Sequence, residues 1–231
     1  RPVNVPHMVQ SVIGATVFGV ILSTLHQSAL GALFLMAPTK LHPLWYSPFI
    51  PIYFFISSII AGLSMVIVES TLSHKIFRDQ IDPQRHVELD AITLGLGKAA
   101  SVVLFTYFFL KLLGLADGGH WDLLNTPLGH WFLVELLVFV LLPCFLLAHG
   151  VREKNVRLVQ ATAVLSVLGI VINRLNVSLV AFNWDVPDRY FPSGMEVITS
   201  VTIILLGVLT FRWIVNRMPV LREHPAYRGI H

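Results

Sequence analysis

Charge is scarce in this 231-residue chain: Asp, Glu, Lys and Arg together make up 13% of it, against 55% hydrophobic residues. An ordinary soluble domain carries about a quarter charged residues, so there is too little charge here to coat a soluble fold of this size. Cysteine is nearly absent. Cys144 is the single one, and it lies inside an apolar run. That excludes an internal disulfide and an iron–sulfur cluster, which needs a set of thiolates, and leaves Cys144 as a small buried hydrophobe. There is no Gly-rich phosphate loop, no HExxH, no CxxCH and no nucleophile elbow, so any electrons the chain handles come from a partner. No signal peptide is visible and Arg1 is not a natural start, so the chain is expected to be cut from something longer. The net charge of +3 and pI near 9.2 do not mark nucleic-acid binding, because the basic residues sit in short loops between apolar runs.

What is present is a series of long apolar runs, near 8–36, 50–72, 89–115, 128–149, 156–182 and 193–214. Each is long enough to cross a hydrocarbon core of about 30 Å. The sequence therefore predicts an all-α integral membrane helical bundle of about six transmembrane helices, read as one bundle over 1–231. The first run, at about 1.5 Å per residue, would span about 43 Å, and His26-Gln27-Ser28 interrupts it, so a tilt or a break is expected there. Pro143 is a candidate kink in the fourth run. Six crossings put Arg1, Lys75, Arg78, Arg85, Arg152, Lys154, Arg157, Arg217, Arg222 and Arg228 on one side, and Lys40, Lys111 and Arg189 on the other. That asymmetry places both termini in the cytoplasm and turns the loops holding Trp45, Gly118-Gly119 and Trp184–Pro192 outward.

Several polar side chains fall inside the runs, where a charge costs on the order of 3 kcal/mol or more unless it is paired, faces the bundle or has a task. Toward the outer side lie His26, Gln27, His130, Glu135, Asn173, Arg174, Asn176 and Glu196; toward the inner side lie Glu69, Asp90 and Lys98. Arg174 is expected to pair with Glu135 or Glu196, either lining a site or proton path or locking helices together. Asp90 and Lys98, eight residues apart, share a helix face and suggest an inner proton route. The plainer reading is an interfacial aspartate at a helix start and a snorkelling lysine. Glu69 lies one turn from the interface. Glu135 lies about two turns in and is harder to dismiss. His26 reads as a haem ligand, a quinone hydrogen-bond partner or a satisfied core histidine. Haem needs a second histidine at the same depth, and His130, in the first turn of its helix, is the candidate.

Four segments carry a resemblance: His26-Gln27-Ser28-Ala29-Leu30-Gly31; the loop Pro38-Thr39-Lys40-Leu41-His42-Pro43-Leu44-Trp45-Tyr46; Asn173-Arg174-Leu175-Asn176-Val177; and Tyr190-Phe191-Pro192-Ser193. In this order, over nearly the whole chain, they resemble the polysulfide-reductase membrane-subunit family (NrfD type), and most nearly its hydrogenase branch, the nickel–iron hydrogenase cytochrome b subunit. The resemblance implies a quinone-reactive anchor in a bacterial inner membrane, typically without haem. It would pass electrons between a periplasmic ferredoxin-like iron–sulfur subunit, beside a nickel–iron hydrogenase or molybdoenzyme, and menaquinone or ubiquinone. The iron–sulfur clusters would all lie in the partner. It also implies about ten helices, of which this chain would be the last six, with much of the quinone pocket built by the missing four. His26, Gln27 and Ser28 would then line one wall of that pocket, with Trp45 an aromatic neighbour, and the loop with Trp184, Asp185, Asp188 and Tyr190 would dock the partner. Glu69, Asp90, Lys98, Glu135, Asn173, Arg174 and Glu196 would serve proton traffic or a buried charge network. The rivals are a plain membrane anchor whose buried polar groups only lock helices, a haem b cytochrome, and a transporter, for which no inverted repeat is evident.

Overall fold

A computed structural model of the chain describes residues 5–76, 83–186 and 192–217. Seven α-helices follow in order: α1 (Val5–Leu33), α2 (Ile50–Ile76), α3 (Pro83–Gly118), α4 (Pro127–Leu136), α5 (Leu142–Arg152), α6 (Val156–Leu175) and α7 (Gly194–Arg217). A π-helical turn, Leu137–Leu141, joins α4 to α5 without a break, so the two make one membrane-length span. A second π turn, Asn176–Val180, ends α6. Six spans are thus long and apolar enough to cross a bilayer, as the runs predict, and the described residues hold no strand beyond one isolated bridge between Leu41 and Phe182. Helices spanning in this way satisfy their backbone groups within each segment, as hydrocarbon requires.

The chain divides into two compact units, Arg1–Pro187 and Asp188–His231. Within the first, α2, α3, α5 and α6 pack in a ring: α2 against α3 and α6, and α5 against the same two. This four-helix bundle holds the core, from Trp45, Phe54 and Phe132 at one end to Ile67, Leu147 and Val159 toward the other. Helix α1 packs mainly on α2, and from Ile13 onward most of the side chains it exposes are apolar. The second unit contains α7, a single apolar helix.

The structure differs from expectation in two local respects. Helix α1 runs unbroken through His26-Gln27-Ser28 and ends at Leu33, where short 3-10 turns take over. An apolar helix carries three polar side chains without losing any backbone bond, so nothing forces a break. In the fourth span the irregularity comes just before Pro143 and takes the form of a π turn. Proline has no N–H to give the Phe139 carbonyl four residues back, and its ring clashes there; an added residue in the turn relieves both.

Helix starts are set by ordinary caps. The Thr126 hydroxyl accepts from the Gly129 amide at 3.1 Å with Pro127 in the first turn of α4. The Asn155 side chain accepts from Leu158 N–H at 3.1 Å to open α6. Both are the residue types that satisfy orphan amides at helix N-termini.

Candidate functional site

The most polar place in the bundle is built around Glu135, about two turns into α4 and 4% exposed. Three N–H groups converge on its carboxylate. The Trp45 indole donates to Oε2 at 3.0 Å, Asn173 Nδ2 donates to Oε1 at 2.5 Å, and Asn176 Nδ2 donates to Oε2 at 2.5 Å. Asn173 and Asn176 stand three residues apart and so share one face at the end of α6. The Asn176 amide is oriented by the Trp131 indole, which donates to its Oδ1 at 3.0 Å. All three are N–H donors to one carboxyl group, and the described residues provide Glu135 with no ion pair.

Trp45 is delivered by the loop between α1 and α2. The His42 carbonyl accepts from the amides of Trp45 and Tyr46, at 2.9 and 3.0 Å, and its Nδ1 accepts from Leu44 N–H at 3.2 Å. The loop is tied to the chain after α6 by His42 N–H to the Ala181 carbonyl (2.9 Å) and Asn183 N–H to the Lys40 carbonyl (2.7 Å). Its rings are stacked edge to face: His42 on Trp45 and on Trp184, and Trp45 on Phe132. Burial, and then the neighbouring His120, hold the His42 imidazole below the usual histidine range.

Two cations flank this centre without touching the carboxylate. Lys111, 7% exposed, places its ammonium over the rings of Tyr53, Tyr107 and Phe132, at 5.0, 5.8 and 5.8 Å from their centroids. Such a cage holds a desolvated cation by its ring quadrupoles. Arg174, half-buried, lies 3.5 Å from the centroid of Phe54 and donates through Nη2 to Ser57 Oγ at 2.8 Å and to the Phe54 carbonyl at 3.3 Å. Its Nη1 is buried with no hydrogen-bond partner. Arg174 therefore does not pair with Glu135, one of the two partners expected for it: the guanidinium turns toward α2 and the two asparagines toward α4.

Of the residues the sequence singled out, the fold brings Trp45, Asn173 and Asn176 onto Glu135 and sets Arg174 apart from them, against α2. Trp45 is almost wholly buried, with its N–H committed to Glu135. His26 is exposed on α1, and Gln27 and Ser28 are half-buried. Gln27 and Ser28 share with Gly31 the side of α1 that meets α2, where a Cβ on Gly31 would stand 2.9 Å from the Phe54 ring. Glu69, Asp90 and Lys98 are exposed on the outside of α2 and α3, and the fold does not gather them. Glu196 begins α7, in the second unit, and accepts from Ser193 N–H at 3.1 Å. Trp184 and Asp185 are exposed after α6; Asp188 and Tyr190 lie outside the described residues. His130 is exposed. Lys111, Tyr107 and His42 are the central residues that sequence reasoning missed. A lysine one turn after a tyrosine within an apolar run was the available signal, and counting Lys111 among outward loop charges hid it.

Comparison with known proteins decides the lineage. The family described as polysulphide reductase, NrfD, matches residues 4–182, which takes in α1 to α6 and the whole Glu135 centre. The chain belongs to this family. Among relatives of the NrfD chain, a protein of Nitratidesulfovibrio vulgaris is 55% identical over 218 residues, covering 94% of this chain and 56% of the relative. The probable Ni/Fe-hydrogenase 2 b-type cytochrome subunit of Escherichia coli is 27% identical over 212 residues, covering 88% and 51%. The chain spans about half the length of these curated relatives. No solved structure matches it. Its NrfD membership and its six spans make it a multi-pass membrane subunit, similar to one named for a hydrogenase.

Proposed function

We propose that this chain is part of a quinone-reactive membrane subunit of a bacterial inner-membrane oxidoreductase. The subunit passes electrons between a periplasmic iron–sulfur partner and menaquinone or ubiquinone. The observation that carries the reading is the position of His26. Its imidazole is exposed on a helix whose surrounding surface is Ile21, Leu22, Leu25, Leu30 and Leu33, all exposed. In hydrocarbon a polar ring on such a surface needs a polar partner. A quinone fits: an apolar body for the leucine surface, and oxygens for His26 and for the half-buried Gln27 and Ser28. A bound quinone, or its quinol, would supply the two-electron redox partner. The protein's part is to hold its oxygen by His26, to orient it against α1, and to keep water away with the apolar surface. The exposed Trp184 and Asp185 suit an electron-transfer partner's docking face.

The test is His26→Ala in the full-length subunit within its complex. Quinone turnover is expected to fall at least about tenfold, the equivalent of about 1.4 kcal/mol, while assembly and dye-linked activity of the catalytic partner persist. Assembly with full quinone turnover would remove the role. The second reading, an anchor whose polar groups only lock helices, is favoured by one fact: among the described residues, each group that bonds Glu135 is a donor from the same unit. A purified complex with no bound quinone and no quinone turnover would support it.

A further inference from the structure

A small cavity of about 10 Å³ lies inside the four-helix bundle beside Glu135. Its polar walls are Ser57 of α2, Tyr107 of α3, Glu135 of α4 and Asn173 of α6, and Phe139 and Gly169 close it. The volume is at the lower limit for one water molecule, and a water is stable only where it meets two to four polar partners. We propose that this cavity is a single-water site, and that the water makes Glu135 a proton-exchanging group in the middle of the bundle.

The first ground is an unmet need. Tyr107 is 4% exposed, and its hydroxyl makes no hydrogen bond to the described residues. A buried phenol normally finds a partner, and the cavity it lines is where one fits. The second ground is the chemistry of Glu135. An ionised carboxylate has about four acceptor positions, and three are filled by the indole and two amide N–H groups. All three partners donate. A protonated Glu135 must itself donate, and none of the three, as oriented, can accept. A water beside the carboxyl donates to the charged form and accepts from the neutral one, so both states are accommodated without moving a helix. The third ground is electrostatic. Neither buried cation is in contact with Glu135: the Lys111 ammonium is held by three rings and the Arg174 guanidinium by Ser57, the Phe54 carbonyl and the Phe54 ring. The carboxyl is not locked in a direct ion pair that protonation would have to break.

The cavity has a structural cause. The π turn Leu137–Leu141 widens the fourth span one turn beyond Glu135, and the cavity lies against its residues Phe139 and Val140. Helices carry such turns frequently where a function needs local room. The exchange moves one proton and no electron. A hydronium proton reaching the site leaves its oxygen as the O–H bond of Glu135 forms, and a neutral water remains.

The experiment is infrared difference spectroscopy on the full-length complex, carboxyl-labelled with ¹³C-glutamate, titrated across the range of pH in which the complex stays assembled. The expected result is a carboxylic-acid carbonyl band that vanishes as pH rises, shifts in D₂O, and is missing in Glu135→Gln. A buried-water stretch should change with it and move in H₂¹⁸O. Tyr107→Phe keeps the ring over Lys111 and removes only the hydroxyl, and should shift both bands. If Glu135→Gln does not assemble, the isotope shifts and Tyr107→Phe still decide. No such carbonyl band at any pH, or bands untouched by Tyr107→Phe, would overturn the proposal. Quinone turnover, measured alongside, is independent: its loss in His26→Ala with these bands intact leaves the water site standing.

Discussion

At the scale of single residues, Glu135 has the largest expected effect on stability. Glu135→Ala orphans three buried N–H donors at once, each at about 1–3 kcal/mol, while Trp45→Phe removes one donor and should cost about 1–3 kcal/mol. Thermal unfolding of the complex in detergent ranks the two, and equal losses would deny Glu135 its central place. His42 adds a pH dependence in the loop outside the spans. Its imidazole is held below the ordinary value by burial and then by His120, so the folded loop binds fewer protons than the unfolded one. Above the unfolded value of about 6.5 nothing is lost; as pH falls below it, stability declines toward the folded value. The mechanism is visible, since a proton on Nδ1 would displace the Leu44 amide it accepts. Hydrogen exchange of the Leu41–Phe49 amides should quicken in mild acid in the native protein and lose that dependence in His42→Gln.

Single elements are governed here by how closely helices approach. Gly169 lets α6 lie against the π turn: a Cβ there would stand 2.8 Å from the Phe139 carbonyl oxygen and 2.9 Å from its Cβ. The obstacle is backbone, which cannot swing aside, so Gly169→Ala should destabilise by about 1–3 kcal/mol and pull Asn173 from Glu135. Gly62 and Gly95 are the controls. An added Cβ meets nothing within 4 Å at either, and alanine there should stabilise by up to about 1 kcal/mol through helix propensity. Differential scanning of the three variants should give opposite signs. The same logic makes Gly31 the close contact between α1 and α2: its neighbour Phe54 also lies under Arg174, so α1, α2 and α6 meet at one ring.

For the molecule as a whole, the alternation of spans fixes which loops share a side. Asp122 precedes the α4–α5 span and Lys154 follows it, and both are exposed. In a Cys144→Ala background, single cysteines at these two positions should label with a membrane-impermeant maleimide from opposite faces of sealed vesicles. Native Cys144, 4% exposed between α3 and α5 and bonded to the Ser101 carbonyl at 3.4 Å, should resist labelling until the bundle unfolds. Labelling of both loop positions from one face would break the six-span reading.

The sequence by itself determined that there are six apolar spans and that several polar groups lie at membrane depth. The reason is thermodynamic: a helix that bonds its backbone to itself needs about twenty consecutive apolar residues to cross hydrocarbon. The tertiary structure alone decided which polar groups meet. Lys98 and Lys111 sit on one helix thirteen residues apart, which is roughly 220° around it, and one is exposed while the other is caged in the core. In a soluble helix the polar face would have marked the outside. A membrane helix is apolar on both its lipid and its core faces, so its rotation is not written in its pattern. Trp45 and Glu135, 90 residues apart, find each other only because α2, α3, α5 and α6 close into one ring.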